Sequence, residues 1–148
     1  MVAKRAPEDY RNPEKFFLRT YFTRALTEHT GMILRRLAGQ TANASPVVTL
    51  VTQFGGGKTH TLAALYHLVT SCPKARDYAG VSDLLAKADL ATVPLAKAWV
   101  FVGNAWDPQE GRETPWLDMA QELAGPRGAA LLGSAAKGSA RQVARCWC

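Results

Sequence analysis

The chain has 148 residues, 47% of them hydrophobic, and a formal net charge of +6. That is the size and make-up of one globular domain, and it excludes a disordered or collagen-like chain. The charge is uneven: residues 1–40 carry +4, residues 41–124 carry −2, and residues 125–148 carry +4 with no acid.

The opening MVAKRAPEDYRNPEKFF is charged and lacks the apolar stretch of a signal peptide. No window approaches the ~18 apolar residues of a membrane span. A soluble cytoplasmic protein with no membrane partner is expected. Asn12-Pro13-Glu14 then reads as a helix start, with Asn as cap, Pro at the first helical position and an acid in the first turn. Leu18, Tyr21, Phe22 and Ala25, and later Ile33 and Leu37, recur at helical spacing and predict a buried stripe. His29 falls near that stripe and reads as a packing or surface residue. Gly39 is the expected stop, and Gly31 leaves two readings open, one long helix or two short ones.

After the polar linker Gln40–Ser45, Pro46 introduces Val47-Val48-Thr49-Leu50-Val51. This short β-branched run predicts a strand buried on both faces, as in a parallel sheet. A glycine-rich turn follows. Thr59 to about Val69 predicts a helix with Leu62, Leu65, Tyr66 and Val69 on its inner face, closed by Pro73. A second helix is expected at about Val81–Ala88. Ala98-Trp99-Val100-Phe101-Val102 predicts a second buried strand. A polar loop, Gly103–Glu113, leads to a helix at about Pro115–Ala124, capped by Thr114-Pro115 and ended by Gly125, with Trp116, Ala120 and Leu123 inward. Gly133–Cys148 has no periodicity and no acid, and is expected to be unstructured.

Strands alternating with helices predict an α/β fold: a P-loop NTPase-like parallel sheet flanked by helices, incomplete, with an N-terminal helical segment. The expected division is 1–45 for that segment and its linker, 46–132 for a partial P-loop NTPase domain of AAA+-like type, and 133–148 for the tail. Cys72, Cys146 and Cys148 are odd in number and form no disulfide framework or complete zinc set.

The chemistry is concentrated in Thr52-Gln53-Phe54-Gly55-Gly56-Gly57-Lys58-Thr59. It matches the Gly-Lys-Thr end of the Walker A pattern and departs from it at Thr52, where the pattern has Gly. Gly55, Gly56 and Gly57 let the backbone approach a phosphate and aim successive amides inward as an anion nest. The following helix N-terminus adds donors and a partial positive charge. Lys58 would reach the β- and γ-phosphates, and the Thr59 hydroxyl would ligate Mg²⁺. An Asn-Lys-x-Asp guanine-reading motif is missing, so ATP is expected as the nucleotide. The Trp99–Val102 run ends in Gly103-Asn104 and carries no Walker B acid or catalytic Glu, so binding is expected and hydrolysis is not assigned. Asn104 and Asp107 follow that strand end, where parallel sheets place ligands. Two other readings are weaker. The basic N-terminal segment with Lys4, Arg5, Arg11, Lys15, Arg19, Arg24, Arg35 and Arg36 suits a nucleic-acid-binding module, and a small nucleotide kinase would need a basic lid and an acidic strand that the sequence does not supply.

The stretches NPEKFFLRTYFT, SPVVTLVTQFGGGKTHTLAALYHL and KAWVFVGNAWDPQEGRETPWLDMAQELAG together resemble the N-terminal part of the large AAA+-like ATPases of domain-of-unknown-function family 499. The resemblance runs from about residue 10 to about residue 132. FGGGKTHTL…LYHL is its most specific block, and the family tends to lack the first Gly, as Thr52 does here. It implies an ATP-binding P-loop protein much longer than this chain. By association with prokaryotic defence loci, it also implies a role against foreign DNA, with DNA or defence-system proteins as partners. The family motif carries Gly55, Gly56, Gly57, Lys58 and Thr59 as the phosphate site. His60 belongs to the same block without a mechanical role. The family's acidic strand lies beyond Cys148, and the resemblance fades near Gly133, so a truncated or frameshifted, non-functional product is also an expectation.

Overall fold

Asn12 ends one short helix and starts the next. In the computed structural model, which describes residues 7–42, 45–51, 55, 57–103, 106–107 and 114–138, helix α1 spans Glu8–Arg11 and α2 spans Pro13–Leu18. The Asn12 amide donates to the Glu8 carbonyl at 3.0 Å, and its side chain accepts from the Lys15 amide at 3.2 Å. Pro13 occupies the first position of α2 and gives up no needed donor there. Ion pairs Glu8–Lys15 and Asp9–Arg19 tie the two helices together along their exposed side.

Helix α3, Arg24–Leu37, begins at Thr23, whose hydroxyl accepts from the Leu26 amide at 3.2 Å. It ends in a Schellman motif: Gly39, at φ +89°, allows Gln40 N–H to reach Arg35 O at 3.0 Å and Gly39 N–H to reach Arg36 O at 3.1 Å. The chain therefore breaks at residues 19–23, and α3 passes unbroken through Gly31. That break resets the helical phase. Leu18 and Tyr21, expected in a buried stripe, are exposed, while Phe16, Phe17, Leu26 and Leu34 are buried. Gly31 is small for another reason: a Cβ there would sit 3.3 Å from the Cβ of Ala88.

Helix α4, Lys58–Thr70, follows the glycine turn, and a 3-10 turn, Lys74–Asp77, leads to α5, Val81–Lys87. Ala64, His67, Leu68 and Val69 are the buried side of α4, whereas Leu62 and Tyr66 are exposed. The consecutive apolar run Leu62-Ala63-Ala64-Leu65-Tyr66 covers more than one full turn, so spacing alone does not single out the buried side. Helices α2 to α5 bury one core, which includes Phe16, Phe17, Leu26, Leu34, Leu68, Val81, Leu84, Leu85 and Val93. Within it the Phe17 ring stacks on Tyr78, with centroids 5.3 Å apart, and on Phe22 at 6.1 Å.

The chain divides into two compact units, residues 1–96 and 97–148. In the second, α6 spans Pro115–Gly138 and is capped by the Thr114 hydroxyl, which accepts from the Leu117 amide at 3.2 Å. Gly125, at φ +64°, and Pro126 interrupt its right-handed path. The chain turns back so sharply that a Cβ on Gly128 would lie 2.4 Å from the Ala120 carbonyl oxygen. In a straight helix, residues that far apart stay about 12 Å apart. Lys97 Nζ donates to Leu123 O at 3.0 Å, next to the break. The stop expected at Gly125 is thus a turn within a longer helical stretch. That stretch reaches Gly138, inside the segment expected to be unstructured, and residues 139–148 lie outside the described residues. Trp116, expected inward, is half exposed, and Leu117 is the buried neighbour.

The expected α/β architecture is not what forms. Among the described residues there is no strand and no sheet, and every regular element is helical. The run Val47–Val51 makes no ladder, and Val51 is 85% exposed. The run Ala98–Val102 also stays unpaired, with Trp99 stacked on Phe101 at 5.3 Å and Phe101 against Trp106 at 5.8 Å. β-Branched residues supply propensity, but a strand is held by its neighbour's hydrogen bonds and by faces to pack on. Each run belongs to a different unit, and neither unit offers a second strand among its described residues.

Candidate functional site

Gly57 caps α4 in the left-handed region, at φ 75° and ψ 9°. Gly55 is also left-handed, at φ +82°. Among the described residues, a Cβ on either would meet nothing within 4 Å. The left-handed backbone therefore calls for glycine at both places, and no described residue crowds either one. Gly57 O accepts from the Thr61 amide at 2.9 Å and from the Thr61 hydroxyl at 3.1 Å, which locks the first turn. The amides of Lys58, Thr59 and His60 have no acceptor within the helix, as at every helix start, and the helix dipole adds a partial positive charge there.

A cleft of about 390 Å³ opens beside this turn. Its lining includes Gly55, Gly57, Lys58, His60 and Thr61 from the glycine turn and α4, Tyr21, Thr23, Leu26 and His29 from the start of α3 and the approach to it, and Leu50. Lys58 is half-buried at the first position of α4; Thr59 is exposed and does not line the cleft. Four of the expected phosphate-block residues, Gly55, Gly57, Lys58 and His60, thus meet on one surface. Gly56 lies outside the described residues, as does Asn104. Asp107 is an exposed residue of the second unit.

His60 has the role that its sequence did not disclose. Its ring stacks on Phe16 with centroids 4.6 Å apart and meets Tyr10 edge-on at 6.0 Å. The Thr20 hydroxyl donates its one proton to the Phe16 carbonyl at 2.7 Å. The 3.1 Å contact between Thr20 Oγ1 and His60 Nε2 therefore has Nε2–H as donor. Nδ1 then accepts from the Tyr10 hydroxyl at 3.4 Å. Burial pushes the His60 pKa below the ordinary 6.5, because the charged ring would lose water, and so favours this neutral form. Two turns on, His67 Nε2–H donates to the Tyr10 carbonyl at 2.8 Å. The two histidines of α4 dock α1 and α2 onto the helix that carries the glycine turn.

Residues 1–96 match the model of the DUF499 N-terminal domain. The chain belongs to the DUF499 family. The match ends at the boundary of the first unit, so the DUF499 domain, the α1–α5 core and the glycine turn coincide. No curated protein and no solved structure matches the chain. Among the described residues, no helix of this DUF499 chain is long and apolar enough to cross a membrane, and no group of three His, Cys, Asp or Glu is placed to hold a metal ion.

Tyr21, His29 and Thr61 belong to the cleft but were not candidates in the sequence. Helical spacing places Tyr21 in a buried stripe, which the break at residues 19–23 abolishes. His29 lies on α3, away from the glycine motif, and nothing in its spacing marked it.

Proposed function

We propose that the chain binds ATP with Mg²⁺ through its Walker A-like turn. The observation that carries this reading is the left-handed Gly57 cap, which sets Lys58 and Thr59 in the first turn of α4 beside an open cleft. Among the described residues nothing crowds Gly55 or Gly57, which suits a phosphate chain approached by backbone amides. Lys58 supplies a point charge for the β- and γ-phosphates. Thr59, exposed in the same turn, offers one hydroxyl to Mg²⁺, which keeps its other ligands as water and phosphate oxygens. The reading is for binding; hydrolysis would need a positioned base as well. The proposed setting is the N-terminal part of an AAA+-like ATPase in the cytoplasm, working with DNA or defence-system proteins against foreign DNA. Support for that setting is the family membership and the association the family carries.

Calorimetric titration with Mg-ATP tests the site. The wild type should bind, and Lys58→Ala should lose about tenfold or more in affinity, the scale of one charge-assisted contact. Equal heats for the two proteins would remove the reading.

A second reading, nucleic-acid binding, is favoured by a groove of about 490 Å³ along α3 and α5 whose lining includes Arg24, Arg35 and Lys87. Glu28 in the same groove is paired with Arg24 at 2.7 Å and offsets part of the charge. DNA affinity should fall steeply with salt, and binding that is unmeasurable at low salt ends this reading.

A further inference from the structure

We propose that the cleft beside the glycine turn takes the adenosine half of the nucleotide, with Tyr21 stacking on the base and His29 accepting its exocyclic amine. This rests on the reading that the turn holds the phosphates. The cleft's volume of about 390 Å³ falls within the range of small-molecule sites, roughly 300–1,000 Å³. Its lining combines two kinds of surface. Gly57 and Lys58 suit an anion, while Leu26, Leu50 and Tyr21 offer apolar and aromatic surface to a flat ring.

Tyr21 is 84% exposed, so the core does not account for its place. Its neighbour Phe22 packs against Phe17 in the core, whereas Tyr21 stands at the cleft as an open aromatic face. Such faces stack on nucleobases. His29 supplies direction. Its Nδ1 lies 2.5 Å from the Ala25 carbonyl, which can only accept, so Nδ1 carries the proton. In the neutral ring Nε2 is then an acceptor. Adenine presents an amine where guanine presents a carbonyl oxygen, and an acceptor on the protein selects the amine. His60, also in the lining, has both ring nitrogens engaged by Tyr10 and Thr20 and is not the base reader.

The test titrates the full 148-residue chain by calorimetry with adenosine, Mg-ATP, Mg-GTP and inorganic tripolyphosphate. Tyr21→Ala should weaken adenosine and Mg-ATP by about tenfold, the scale of one base stack, and leave tripolyphosphate unchanged. Tyr21→Phe should restore both. His29→Ala should narrow the preference for Mg-ATP over Mg-GTP. Adenosine that does not bind, or that binds Tyr21→Ala as well as wild type, overturns the proposal. So does an equal loss of tripolyphosphate and Mg-ATP in Tyr21→Ala, or an ATP preference untouched by His29→Ala. Failure of the phosphate reading shows elsewhere, as tripolyphosphate binding unaffected by Lys58→Ala, and the adenosine titration still decides the cleft.

Discussion

The His60 imidazole lies stacked on Phe16, with centroids 4.6 Å apart and planes 28° from parallel. One residue of the glycine-lysine block therefore anchors the N-terminal helices. Burial holds this ring below its ordinary pKa of 6.5. As pH falls, the unfolded chain takes up the proton before the folded one. The stability that His60 supplies is complete above pH 6.5 and drains away as pH drops through the lower folded value. Thermal melts between about pH 8 and pH 5, spanning histidine titration, should show the wild-type Tm falling more steeply than that of His60→Phe. The phenylalanine keeps the stack and removes the titration. Parallel profiles would contradict this account.

Gly57 and Gly80 are both left-handed, at φ +75° and φ +76°, but their surroundings differ. Among the described residues a Cβ at Gly57 meets nothing within 4 Å, whereas at Gly80 it would lie 2.7 Å from Phe22 Cδ2. Alanine at either should cost about 1–2 kcal/mol of backbone strain. At Gly80 the clash adds about 1–3 kcal/mol. Urea midpoints should fall further for Gly80→Ala than for Gly57→Ala. Equal shifts would show that the Phe22 ring moves aside freely.

Gly31 brings α3 close to Ala88, at the C-terminal end of α5. Gly31→Val should destabilise by about 1–3 kcal/mol through overpacking. Adding Ala88→Gly should recover part of that loss, because the two residues share one contact. A double mutant with purely additive losses would place the cost elsewhere.

Thr30 is fully buried on α3, and its hydroxyl has no hydrogen-bond partner among the described residues. Valine has nearly the same shape and removes that unsatisfied group. Thr30→Val should be neutral or stabilising by up to about 1–2 kcal/mol in chemical denaturation. A clear loss of stability would reveal a partner for the hydroxyl.

Local punctuation was legible in the sequence. Asn12-Pro13 starts α2, Gly39 closes α3, and Thr114-Pro115 opens α6, because caps and turns depend on a few adjacent residues. The glycine turn before α4 was legible for the same reason. Phase and partnership were not. Nothing local announces the break at residues 19–23, so spacing alone places the exposed Tyr21 inside. Val47–Val51 has the composition of a buried strand, yet pairing is set by what lies across from it, which a single run does not encode. In the sequence His60 reads only as part of a motif, since its partners Tyr10, Phe16 and Thr20 come from a distant stretch of chain.

Lys58, Thr59 and His60 are consecutive, and the third is bolted to Thr20, forty positions upstream. Clipping the chain before Arg19 would strip the imidazole of its stacking ring and leave the first turn of α4 to fray. A tag or protease acting at that end would thus be felt at the glycine turn, although it touches none of its atoms. Conversely, an anion that pins the turn should shield the leading helices from digestion, since coupling of this kind runs both ways.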